Sequence, residues 1–577
     1  MTKKFWDMKR RNILWLCLLI GSIVTLLLLP RLGTAQDRGP VYVIDGDLQD
    51  SRGEPVEGAE IKLMLPGEEE TIAEAESQKN GQFELIFGEE HLRSLAGATV
   101  AIERPHFRSV TYILTSEDVD DLQMDGFFVL PAQEGGLQRR ITPAFWIAGL
   151  IFISVLLIIA TERLHNVLAV MAGVAAVLFV SYFGRLLSPD LFIFNFERAL
   201  DFIDWEVIFL VMGMMIVIAV IERTGIFQWV AYQAYRISRG RAWLLALILM
   251  IFTGIASAML DNVTTMLLMT PITIQIALGL NLNPLPLLLP QVWASNVAGI
   301  STLIGTPTNI LIGSYADISF SDFMINLTPG VIMAMTVLIL YVLIVYWKDL
   351  KGPTATLTPE LQARLQENAR IRQPEALRKA LIIGAFMMLM FLFGEALHLV
   401  PAVTAVVGAT ALLIWIRPNI EEMIEAVDWT TLVFFMMLFI MVGAIEEVGL
   451  IGGIAELIGD LVGTNLTLAM ILIVWLGAII SGLIDNIPFA AAMLPVVGYL
   501  SSQIPGAAES KALFYALSVG AAFGGNGTLI GASANLVTAG ISERAGFPIT
   551  YGTFLRRGFP AMIVTAAAGT VWLLIRF

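Results

Sequence analysis

Past residue 142 the chain is a succession of long apolar runs separated by short polar breaks. Each run is close to the ~20 residues that a helix needs to cross a bilayer. The pattern predicts spans at 144–161, 166–184 and 205–222, two helical arms within 243–280, a span near 288–314 that glycine and proline interrupt, and one at 326–347. The same order returns as 380–395, 400–416, 429–446, two arms within 466–500, an interrupted span near 511–540, and 558–575. Between 36 and 142 the period changes to two, in short runs at 41–44, 59–65, 83–87, 99–102, 109–114 and 127–130 with turn residues between them, which predicts a small β-sandwich. Upstream, an apolar run at 13–29 follows Lys3, Lys4, Lys9, Arg10 and Arg11 and stops at Pro30 and Arg31. Basic residues stay in the cytoplasm, so this run is expected to place the N-terminus inside and residues 36–142 in the extracytoplasmic space. Gly33-Thr34-Ala35 also fits a signal-peptidase site, but the run exceeds the ~7–15 residues of a signal core, which favours a retained anchor.

The two helical sets are copies of one another. Asp204-Trp205 returns as Asp428-Trp429, Glu222 as Glu446, Gly225 as Gly449, Ser257 as Ser481, Asp261-Asn262 as Asp485-Asn486 and Pro271 as Pro495, each pair 224 residues apart. Thr302-Leu303-Ile304-Gly305 with Asn309 returns as Thr528-Leu529-Ile530-Gly531 with Asn535, now 226 apart, so the halves differ by a two-residue insertion. Gly, Pro, Asn and Asp repeated inside apolar sequence are the pattern of a secondary transporter, with its site near the bilayer midplane between two related halves. If each pair of arms enters and leaves on one side, each half crosses five times, and an odd number inverts the second half. Arg236, Arg239 and Arg241, the basic stretch after Tyr346, and Arg544, Arg556 and Arg557 then share the cytoplasmic side. Counting every arm as a crossing also gives an odd number, and the charges leave that alternative open. The expected fold is a polytopic α-helical membrane protein of two inverted repeats, each of five transmembrane helices plus one re-entrant hairpin. Its parts are an anchor at 1–35, the β-sandwich at 36–142, a first repeat at 143–347, a cytoplasmic linker at 348–379 and a second repeat at 380–577.

Composition sharpens the class. The 577 residues are 57% hydrophobic and 15% charged, with a mean hydropathy of +0.77, beyond the range of soluble domains. The net charge of −14 is local: about 22 acidic and 9 basic residues fall between 36 and 142, which leaves the helical part nearly neutral. No basic surface is available for nucleic acid. Cys17 is the only cysteine, and the four histidines form no HExxH pattern, so neither a disulfide, a cysteine metal site nor a zinc enzyme is expected. No nucleophile and base are paired, so no catalytic residues and no cofactor are expected.

The candidate chemistry lies where the apolar spans are broken. Carboxylates and amides at membrane depth are costly and usually functional, and irregular backbone there must face protein or a water-lined site. Ser257, Asp261, Asn262 and Thr265, with Ser481, Asp485 and Asn486, mark the two hairpin tips. Asn296, Thr302, Thr306, Thr308 and Asn309, with Asn526, Thr528, Ser533 and Asn535, mark the two interrupted spans. Freed carbonyls and side-chain oxygens can ligate Na⁺, with Asp261, Asn262, Asn309, Asp485, Asn486 and Asn535 as the candidate ligands, while half-helix N-termini can face an anion. Other uses fit the same residues: Asp261 and Asp485 as helix caps, Asn309 and Asn535 as partners of broken backbone.

Three stretches carry a family resemblance: Leu260-Asp261-Asn262-Val263-Thr264-Thr265, Ser295-Asn296-Val297-Ala298-Gly299 leading to Thr302–Asn309, and Gly524-Gly525-Asn526-Gly527-Thr528 leading to Asn535. Over 143–577 the chain resembles the ion transporter superfamily and its citrate-transporter-like domain, in the branch of arsenite permeases, NhaD-type sodium/proton antiporters and the melanosomal P protein. The stretch 50–59 with Asn80-Gly81-Gln82-Phe83 is similar to carboxypeptidase regulatory-like domains. The superfamily resemblance implies a homodimer, scaffold and transport subdomains, two re-entrant hairpins and elevator motion. Carboxylate-transporting relatives read Ser-Asn-Thr at the tips, where this chain has Asp261-Asn262-Val263 and Asp485-Asn486-Ile487. Two carboxylates repel a di- or tricarboxylate in a low-dielectric site and suit exchange of H⁺ for Na⁺. The expected function is therefore secondary active exchange of H⁺ with a small ion across the plasma membrane. Carriage of an anion, arsenite or a carboxylate is the alternative within transport, and a membrane receptor using the β-domain is the alternative from another class.

Overall fold

The computed structural model describes residues 41–577 except 52, 54, 67–70, 132–135, 162, 352–365 and 368. The expected anchor and nearly half of the linker, 352–365 and 368, lie outside the described residues. Two compact units divide the chain, Met1–Arg140 and Ile141–Phe577.

In the first unit β1 (Val41–Asp47) lies between β4 (Gln82–Gly88) and β7 (Phe127–Val129) in a three-stranded sheet. A second sheet holds β3 (Thr71–Glu76), β2 (Glu60–Met64), β5 (Thr99–Glu103) and β6 (Val110–Ile113) in that order. Alternate residues point inward: Ile44, Phe83 and Leu85 from one sheet and Ile61, Leu63, Val100 and Ile102 from the other belong to one buried cluster. β3 escapes the period-two reading because its inward positions are the small Ala73 and Ala75. Helix α1 (Ser116–Asp125) starts at a Thr115–Asp118 capping box and stops at Gly126, whose φ of 75° favours glycine.

The second unit is helical throughout. Its first half contains α2 (Pro143–Ala160), α3 (Asn166–Phe179), α4 (Trp205–Arg223), α5 (Ile226–Ser238), α6 (Ala242–Met259), α7 (Asn262–Gly279), α8 (Leu285–Gly299), α9 (Pro307–Ala316) and α10 (Phe320–Val345). The second half answers with α11 (Pro374–Phe393), α12 (Pro401–Ile416), α13 (Trp429–Glu447), α14 (Leu450–Val462), α15 (Leu466–Ser481), α16 (Asn486–Gln503), α17 (Ala512–Gly524), α18 (Ser533–Arg544) and α19 (Tyr551–Arg576). Among the described residues nine helices are long and apolar enough to cross a membrane, α3 by virtue of a π-helical turn that carries it on to Gly184, and α12, α15 and α17 are shorter apolar ones. The outer helices are apolar on both sides: α2 buries Ala144, Ala148, Phe152 and Val155 and exposes Trp146, Leu150, Ile153 and Leu157, as a lipid-facing helix should.

The larger helix contacts recur when the halves are exchanged. α3 packs on α13 as α12 packs on α4, and α9 packs on α16 as α18 packs on α7. The α4–α12 contact is close, since a Cβ at Gly213 would lie 2.9 Å from the carbonyl carbon of Ala405. Two ion pairs set the direction of α4 against α13. Arg198, just ahead of α4, reaches Glu447 at the end of α13 (3.5 Å), and Arg223 at the end of α4 bonds Glu422, just ahead of α13. The two equivalent helices therefore run antiparallel. Each is followed by an amphipathic helix, α5 or α14, entered through a left-handed glycine, Gly225 (φ 82°) or Gly449 (φ 85°). These two helices lie outside the expected spans because they are 13 residues long, too short for a crossing.

Candidate ion site

The arms α6 and α7 are joined by Leu260 and Asp261, and α15 and α16 by residues 482–485, so each hairpin turns at its aspartate. Asp261 caps α7 by accepting from the Thr264 amide (2.8 Å), and Asp485 caps α16 by accepting from the Ile487 amide (3.0 Å). The capping use of both aspartates is thus present in the structure. The two differ in what else holds them. Ser533, at the start of α18, donates its hydroxyl to Asp485 Oδ2 (2.5 Å), whereas the position matching Ser533 in the first half is Pro307, which has no hydroxyl to offer.

The interrupted spans are α8 with α9 and α17 with α18. In the first, Asn309 donates its amide to the carbonyls of Ile300 (3.2 Å) and Thr302 (2.8 Å); in the second, Asn535 does the same to Gly525 (2.7 Å) and Thr528 (2.9 Å). Buried carbonyls at a helix break need a donor, and each asparagine supplies two bonds. Thr306 caps α9 by accepting from the Asn309 amide N–H (3.1 Å). Ser257 donates to Ser295 O (3.0 Å) and Ser481 to the equivalent Ala521 O (2.6 Å), while Thr302 and Thr528 donate to the equivalent carbonyls of Ala258 and Gly482. These four hydroxyls fasten each hairpin to its neighbouring break.

Asn296 on α8 links the halves. Its oxygen accepts from Asn262 (3.0 Å), and its amide faces Asn526 (3.1 Å) and Asn535 (3.2 Å) of the second half. Ser518 on α17 closes the opposite link by donating to Asn309 Oδ1 (2.6 Å). Sequence reasoning missed Ser518, because its counterpart two residues off the repeat interval is the apolar Val292. The hydroxyls of Thr265 and Thr308 and the amide nitrogen of Asn526 are buried without a hydrogen-bond partner, so polar valences remain in this core. Asn486 is also buried.

A cavity of about 500 Å³ reaches this region. Asp261, Asp485, Ser533 and Pro307 line it, and so do Glu222, Asp428 and His165, none of which stands among the expected site residues. Asp428 and Glu222 belong to the repeat but fall at span ends, away from the breaks that mark the expected site. Asp428 does cap α13, accepting from the Thr431 amide (3.1 Å). Four half-helices, α7, α9, α16 and α18, begin at the tips and breaks, and their N-terminal partial charges favour negative groups there. The donor set is carboxylate, amide and hydroxyl oxygen, the kind that suits hard cations rather than soft metals.

The citrate transporter family matches residues 155–520 of the chain. An uncharacterized transporter of Mycobacterium tuberculosis is 37% identical over 437 residues, which cover 75% of this chain and 98% of that protein. The P protein of Homo sapiens is 33% identical over 517 residues, covering 76% of this chain and 60% of the P protein. Among solved structures the chain is similar to the Alcanivorax borkumensis YdaH transporter, with a TM-score of 0.48 and 13% identity over 75% of this chain and 98% of that one.

Proposed function

The chain belongs to the citrate transporter family and is a multi-pass membrane transporter of a small substrate, and from that premise we propose that it exchanges H⁺ for a small cation, Na⁺, across the plasma membrane. Asp261 and Asp485 take up and release the ion. The observation that carries this reading is the meeting of both tip aspartates in one cavity with the start of each second half-helix, Pro307 and Ser533. A carboxylate that binds either a proton or a sodium ion, but not both, couples the two flows. Inverted repeats are part of the proposal, supported by the antiparallel course of α4 and α13 and by contacts that survive exchange of the halves. Elevator motion is supported by the asparagine links, which tie the hairpins and breaks of both halves into one body that meets α4 through α9. The homodimer, the β-sandwich and its extracytoplasmic place follow the family resemblance and the sequence pattern.

The family's name points to citrate. Four carboxylates, those of Glu222, Asp261, Asp428 and Asp485, line the cavity, and a like-charge contact at 4 Å costs about 4 kcal/mol at an effective dielectric of 20. That disfavours a tricarboxylate. The converging half-helix N-termini favour the second reading, carriage of an anion. A flux panel in proteoliposomes that varies Na⁺, pH, chloride, arsenite and dicarboxylates separates the two. Na⁺-dependent H⁺ movement that Asp261→Asn abolishes in a folded protein is the expected result. Wild-type exchange in that variant, or transport of an anion without Na⁺ or H⁺ dependence, overturns the cation reading.

A further inference from the structure

Two cavities follow the same helix. The one at the tips borders α4 at Val211, Met214, Ile218 and Glu222. A second, of about 350 Å³, borders α4 at Glu206, Val207 and Leu210. The cavities thus divide α4 between consecutive residues, Leu210 and Val211. Together they accompany it from residue 206 to residue 222, an interval of 222 − 206 = 16 residues or ~24 Å, most of the ~30 Å of a hydrocarbon core. Helix α9, which packs on α4, is divided the same way: Pro307 borders the tip cavity, Gly313, Ser314 and Asp317 border the second, and Ile310 borders both. In the break ahead of α9, Ile304 borders one and Leu303 the other. Between them stand the buried side chains of Ile310, which borders both, and of Leu210, Leu303 and Ile304, which border one or the other. The outer ends are charged, with Glu222, Asp428 and His165 at one and Glu206, Asp317 and His398 at the other.

We propose that the two cavities are halves of one hydrated path for protons and small cations along α4, and that the Leu303–Ile304–Ile310 layer is its gate. A constriction lined by aliphatic groups holds no water and blocks ions, while the carboxylates and hydroxyls in the cavities on either side, among largely apolar walls, can hold water. Truncating one isoleucine opens room for water at a point where both sides already supply it, and the cavities join. The path borrows its cargo from the cation reading above, but the gate is tested without that cargo.

The test is passive proton flux into proteoliposomes under a potassium diffusion potential, in the absence of Na⁺. Ile310→Ala and Ile304→Ala should raise the proton leak by roughly tenfold or more over wild type, and Ile310→Leu should not. A second arm needs no truncation: in a Cys17→Ser background, Ser314→Cys and Thr430→Cys should react with a membrane-impermeant cationic thiol reagent from opposite sides of the membrane. A folded Ile310→Ala protein that leaks no more than wild type, or two cysteines that react from the same side, overturns the path. If wild type shows no Na⁺/H⁺ exchange but Ile310→Ala leaks, the cargo assignment falls and the gate stands.

Discussion

Asn296 shows what the individual polar residues of this core do. It joins Asn262 of the first hairpin to Asn526 and Asn535 of the second half, so one side chain serves three others. Removing it strands buried groups at about 1–3 kcal/mol each. Asn296→Ala should therefore lower the thermal midpoint in detergent by several degrees more than alanine at the exposed Gln503, and an equal shift for the two would refute the linking role. Polar residues inside apolar sequence were legible as a group, since their residue types alone mark them as exceptional. Their separate uses were not. Ser257 and Ser481 bond carbonyls 38 and 40 residues away, and nothing in a linear pattern identifies such partners. Thr265 and Thr308, expected beside them, keep unpartnered hydroxyls that only packing reveals.

At the scale of helices, the period of the apolar runs foretold most spans to within a few residues, because burial in lipid imposes length. It passed over α5 and α14, whose apolar faces pack on α7 and α16. The repeat also contains a sign reversal: Arg198 and Arg223 in the first half correspond to Glu422 and Glu447 in the second. The ion pairs explain it, since Arg198 meets Glu447 while Arg223 meets Glu422. The first pair has the larger stake, because the Glu447 side chain is only 4% exposed and the second pair is open to solvent. Glu447→Arg places two cations together in a buried setting and should destabilise the protein by about 3 kcal/mol or more. Adding Arg198→Glu restores opposite charges and should recover most of the loss in a detergent melt. Purely additive losses in that double-mutant cycle would show that the pair does not couple the ends of α4 and α13.

For the whole molecule, the chain combines an acidic β-rich unit with its own buried cluster and a helical unit with another. The duplication in the sequence made two related halves legible; the antiparallel course of α4 and α13 needed the ends of those helices to be seen together. The crossed charges at those ends carry a further meaning. Two copies of the first half, arranged as the real halves are, would set arginine against arginine at both ends, and two copies of the second would set glutamate against glutamate. Charge at these ends therefore favours the pairing of unlike halves over like ones. Expressed as separate chains, 141–351 and 366–577 should form a heterotypic complex in membranes and co-purify with each other, while a tagged half should not capture an untagged copy of itself; equal self-capture would refute the discrimination. A gene for one half alone could not use this contact, and a single polypeptide supplies its two sides in fixed proportion.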